Sequence, residues 1–123
     1  MNFKEIDNWP NSWKITSHDT AYGNKLIKLM KPLIVKLSDK YSARTVKKHA
    51  DNLWLLGGYT IDRINRDEKF RYTEPCLFLS TFIDSFDGPL ISDLSEEEQN
   101  SFDCTCRKFY KYLVENELIK LVS

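Results

Sequence analysis

Apolar residues recur at helical spacing through most of the chain. Leu26, Met30, Leu33 and Leu37 step by four, three and four, with Ile27 and Ile34 beside them. This pattern predicts an amphipathic helix with a broad stripe, entered through Ser17-His18-Asp19-Thr20, which include good N-cap types. Pro32 falls inside it, and the lost amide predicts a kink or restart near Lys31. A second helix opens at Ser42 and carries Val46, Ala50, Leu53, Gly57, Ile61 and Ile64 on one face, widened by Trp54 and Leu56. The pair Gly57-Gly58 weakens a helix interior, yet the period resumes in phase beyond it. One long helix with a close-packed crossing at the glycines is favoured, and two helices joined by a tight turn are the alternative.

The rest of the chain is shorter in period. Residues 67–74 read as a loop, and Pro75 suits the first position of a helix. The apolar run that follows, residues 76–86, fits either a short helix or a single strand. Asp87-Gly88-Pro89 marks a turn. Ser95 followed by Glu96-Glu97-Glu98 has the form of a capping box, with acids where the helix dipole favours them. The helix it starts should run to about Asn116, turning Phe102, Cys106, Phe109 and Leu113 inward. Residues 1–18 show no sustained period and should lay Trp9 and Trp13 onto the body. The expectation is an all-α, single-domain bundle of about four main helices over residues 1–123. An irregular Trp-containing N-terminal segment precedes the helices, and Leu53 and Trp54 are central to the core.

Composition narrows the class. A chain of 123 residues that is 41% hydrophobic and holds four Gly and four Pro is neither disordered nor of low complexity. No apolar run is long enough for a membrane span, and the first residues lack a secretory pattern. A cytoplasmic protein that avoids membranes is therefore expected. The net charge is zero but polarised. Residues 25–48 carry eight cations against Asp39, and residues 84–103 carry seven anions and no cation. Such polarity governs steering and partner choice.

Catalytic motifs are missing from the sequence. It contains no nucleophile elbow and no glycine-rich phosphate loop. Cys76, Cys104 and Cys106 make an odd set, and Cys104 and Cys106 point about 200° apart on a helix, so they cannot chelate together. Neither a metal nor a cofactor is expected. Asp84 and Asp87 could serve acid–base chemistry or bind a cation, but acids flanking a turn more often form it. His49 adjoins the apolar stripe, as a half-buried structural histidine would.

The segment SARTVKKHADNLWLLGGYTIDRIN, with DGPLI and LSEEEQNSFDCTCRKFYKYL, resembles a small family of bacterial proteins of unassigned function. Within it, Ser42, Thr45, His49 and Asn52-Leu53 resemble a pattern in the helical core-binding domain of tyrosine recombinases. That resemblance implies a helix able to meet DNA phosphates; the chain is too short for the recombinase catalytic domain and its strand-cleaving tyrosine. The reading from sequence is a non-enzymatic protein-interaction module, self-associating as a homo-oligomer. Lys40, Arg44, Lys47 and Lys48 supply its basic surface, and Glu96, Glu97 and Glu98 its acidic partner. The alternative is a DNA-associated accessory protein that sets the same cations on phosphates.

Overall fold

The computed structural model describes residues 3–119 and is all-α; among them there is no strand. The chain divides between Pro75 and Cys76 into two compact units. The first contains α1 (Lys4–Asp7), α2 (Trp9–Trp13), α3 (Asp19–Ser38), α4 (Ala43–Arg66) and a 3-10 turn at Glu68–Tyr72. A short helix, α5 (Pro75–Leu79), begins at the division, and α6 (Glu96–Glu115) dominates the second unit. No helix among the described residues is long and apolar enough to cross a membrane.

In the first unit α3 packs on α2 and α4, and α4 also meets α2 and the 3-10 turn. The expected stripe of α3 is buried: Leu26, Ile27, Met30, Leu33, Ile34 and Leu37 all face inward. Pro32 does not interrupt the helix, which runs through it from Asp19 to Ser38. The proline is exposed and removes a single amide, while buried Met30, Leu33 and Ile34 hold the chain on either side.

α4 is one helix of 24 residues, so the glycine pair lies inside it. A Cβ at Gly57 would overlap the six-membered ring of Trp13, and the Trp13 Nε1 donates to the Trp54 carbonyl at 2.9 Å. The glycine is therefore a seat for an indole. The N-terminal segment is more regular than its sequence suggests, because Pro10 fits the first turn of α2 and Trp13 and Ile6 are anchored by burial. Leu53 is fully buried, but Trp54 is 41% exposed. The space over the glycines is taken by Trp13, and Trp54 lies at the flank of the stripe, donating its Nε1 to Ser12 Oγ at 2.9 Å.

The helix α5 ends at Leu79 and the chain then turns, so this element is a little over one turn long. α6 buries Phe102, Thr105, Cys106, Phe109 and Leu113. Its start carries the full capping box: Ser95 Oγ accepts from the Glu98 amide at 3.1 Å, and Glu98 Oε1 accepts from the Ser95 amide at 2.9 Å. Its end closes with the Leu118 amide on the Leu113 carbonyl and the Glu117 amide on that of Val114, with Glu117 in the left-handed region at φ 59°.

Ser95→Ala should lower stability by about 0.5–2 kcal/mol, measured by urea denaturation. Thr105 on the same helix is unsuitable as a control, because it is buried with its hydroxyl turned to the Ser101 carbonyl. Exposed Asn100 is the proper comparison, and Asn100→Ala should stay within about 0.5 kcal/mol of wild type. Equal losses at the two positions would remove the capping argument.

Candidate interaction surfaces

The basic candidates gather at the start of α4. Ser42 Oγ accepts from the Thr45 amide at 3.3 Å, which fixes the helix entry. Arg44, Lys47 and Lys48 then occupy its first two turns, all exposed, with Lys40 exposed in the preceding turn. Arg44 and Lys47 line a groove of about 500 Å³ with Glu5, Trp9, Ala43 and Asp51; Lys40 and Lys48 do not. Lys47 is also within 3.2 Å of Asp51, one turn along the helix, in a pair that water reaches on both sides. Such an exposed pair contributes little and leaves Lys47 available.

The acidic candidates lie on the first turn of α6. Glu96 and Glu97 are exposed. Glu98 is committed to the capping box, and the hydrogen bonds from Ser95 hold its carboxyl below the usual range. The acidic surface therefore consists of Glu96 and Glu97, and Glu98 builds the helix that presents them.

The other residues singled out by sequence have structural roles. His49 is buried, with its ring edge-on to Tyr41 at 6.4 Å between centroids. Asp84 Oδ1 accepts from the amides of Asp87 at 3.0 Å and Phe86 at 2.8 Å, and these bonds lower its pKa. Asp84 thus forms its turn, as acids there usually do. Cys76 and Cys106 are buried, Cys104 is partly exposed, and none is bridged to another. Burial, with Asp103 and Asp87 nearby, pushes the Cys106 thiol far above its ordinary value, which keeps it protonated and inert. Among the described residues no cluster of three or more His, Cys, Asp or Glu could hold a metal ion.

Two features escape the sequence pattern. One is a buried ionic cluster in the first unit. Asp19, 1% exposed, accepts from the amides of Ile15 and Thr16 at 2.8 and 2.9 Å, from Asn65 Nδ2 at 3.0 Å and from Arg71 Nη1 at 2.8 Å. Arg71 reaches Glu68 as well, at 3.0 Å. Asp19 and Arg71 are 52 positions apart, so no local spacing announces the pair. The other is the loop between α5 and α6, where Phe86 and Leu90 stand in solvent. Its only sequence signal is the turn at Asp87-Gly88-Pro89.

Neither protein-family models, nor curated proteins, nor solved structures contain a match to the chain.

Proposed function

We propose that the chain is a non-enzymatic, self-associating protein-interaction module. In this reading the basic start of α4 meets the acidic start of α6 in a second copy. One observation carries it: Arg44 and Lys48 on α4, and Glu96 and Glu97 on α6, are exposed and form no ion pair among the described residues. Charges left in solvent on two helix starts, with opposite sign, are complementary surfaces for steering and register. A cytoplasmic setting accords with three unbridged cysteines.

A second reading draws on the same cations. Arg44 and Lys47 beside the Trp9 indole form a groove in which a phosphate and a base would both find contacts. The likeness of residues 42–64 to a DNA-contacting helix supports that reading, and the likeness to a bacterial family supports a bacterial origin. Near-neutral charge and a pI of about 6.7 weigh towards protein.

The two readings diverge under charge reversal. Lys47→Glu with Lys48→Glu should reduce association in sedimentation, and the wild-type protein should dissociate as salt rises, since screening at 0.15 M acts over about 8 Å. Adding Glu96→Lys and Glu97→Lys to the same chain should restore part of the association. A monomeric wild type that binds duplex DNA tightly, with a steep salt dependence, would reverse the order of the two readings.

A further inference from the structure

The loop from Asp84 to Ile91 keeps a large aromatic ring in water while being held firmly by its own unit. Besides the two bonds to Asp84 Oδ1, the Asp84 amide donates to the Asp87 carbonyl at 3.1 Å, and Arg107 Nη1 donates to the Phe86 carbonyl at 2.8 Å. The Gly88 amide donates to Asp103 Oδ1 at 3.2 Å. Gln99 clamps the far end, donating to the Pro89 carbonyl and accepting from the Ile91 amide, each at 3.0 Å. Gly88 lies so close to Cys106 that an added Cβ would overlap its sulfur. On this framework Phe86 is 76% exposed and Leu90 86% exposed. A lone exposed apolar residue is ordinary. An aromatic ring carried on a loop already fixed by hydrogen bonds is different, because the ordering that binding normally demands is already in place.

Beside the loop, in the same unit, lies a groove of about 550 Å³ along α6, lined by Ser85, Arg107, Lys108, Tyr110, Lys111 and Val114. Tyr110, Val114 and the long side-chain stems make it apolar, and three cations stand around it; Glu115, 3.9 Å from Lys111, is the one acid. Phe86 carries the opposite pattern, with Asp84 on one side and Asp87 on the other. The ring stays in water and does not fill the groove next to its own loop. A protrusion and a complementary recess side by side on one surface suit a two-fold contact, in which each partner offers both.

We propose that a second copy of the chain docks on this face, the Phe86 of each copy entering the α6 groove of the other with Asp84 and Asp87 against Arg107, Lys108 and Lys111. This inference rests on the self-association reading and adds a contact separate from the charges at the start of α4.

Sedimentation equilibrium of single variants and of mixtures tests it. Phe86→Ala should weaken self-association on the order of tenfold or more, as loss of an interface anchor does. Its helix content should match wild type, and so should its melting temperature at a dilution where both chains are monomeric, because the ring is exposed. Lys111→Glu, on a side chain that is 77% exposed, should weaken association from the groove side, and Val114→Ser is the second groove variant. Mixing Phe86→Ala with either groove variant should recover a heterodimer, since one chain then supplies an intact groove and the other an intact Phe86. Wild-type association in both Phe86→Ala and the groove variants would overturn the proposal. If Lys47→Glu with Lys48→Glu still dissociated the protein in that case, the charge reading would survive alone. Loss in the single variants without recovery on mixing would overturn the reciprocal exchange. A wild type that is monomeric at every concentration would overturn both readings.

Discussion

Asp19→Ala should destabilise the protein by about 3–5 kcal/mol, the largest loss expected of any single substitution discussed, because it strands a partner charge in the interior. Arg71 would keep Glu68, which is exposed, and lose the carboxylate against which it is packed. The amides of Ile15 and Thr16 and the Asn65 side chain would lose an acceptor in the same step. The effect should also depend on pH. Burial works to raise the Asp19 pKa, but the hydrogen bonds from Thr16, Arg71, Ile15 and Asn65 outweigh it and bring the carboxyl below its ordinary value. The unfolded chain then takes up this proton before the folded one does. Asp19 therefore contributes fully above about pH 4, the ordinary aspartate value, and loses its contribution as pH falls through the lower folded value. Urea denaturation of wild type and Asp19→Asn at pH 7, 5 and 3 should show a gap that is constant from 7 to 5 and narrows at 3. A gap independent of pH would mean that shape, and not charge, makes the site.

Leu53→Ala should cost about 2–5 kcal/mol, the range for emptying a leucine site in a packed core. Leu53 is fully buried on the inner face of α4, between Ala50 and Gly57 one turn to either side. The neighbourhood resists collapse: Trp13 is wedged over Gly57, so the helix cannot move inward to close the void without displacing an indole that is itself hydrogen-bonded. Trp54→Ala should cost less in spite of removing more atoms, since that ring is already partly in water and its polar contact is to exposed Ser12. Denaturant midpoints with unchanged slope check both, and a larger loss at Trp54 than at Leu53 would contradict the placement of the two side chains.

That comparison marks how far the chain could be read unaided. The apolar stripes of α3, α4 and α6 and the capping box at Ser95 were legible because each depends on residues within a turn or two of one another. Continuity of α4 through its glycines was legible too, from the phase of Ile61 and Ile64. The restart considered at Pro32 does not occur, because tertiary burial on both sides outweighs one lost amide. Trp54 misled because a stripe shows which face is apolar but not which of two tryptophans takes the place over a glycine. Exposure of Arg44, Lys47, Lys48, Glu96 and Glu97 followed from charge runs, whereas the structural duty of Glu98 follows from its position three residues after Ser95. The Asp19 cluster and the held Phe86 loop depend on contacts across long stretches of chain, which no local period encodes.

The division at Pro75 and Cys76 has a spectroscopic consequence. All three tryptophans, Trp9, Trp13 and Trp54, precede it, and all three cysteines, Cys76, Cys104 and Cys106, follow it. Indole fluorescence therefore arises entirely from residues of the first unit. Thiol labelling, slow at buried Cys76 and Cys106 until their surroundings open, reports the second. The unmodified chain thus carries two independent optical and chemical clocks. Coincident emission and labelling transitions along a denaturant series would show the units melting as one, and separated transitions would assign a stability to each.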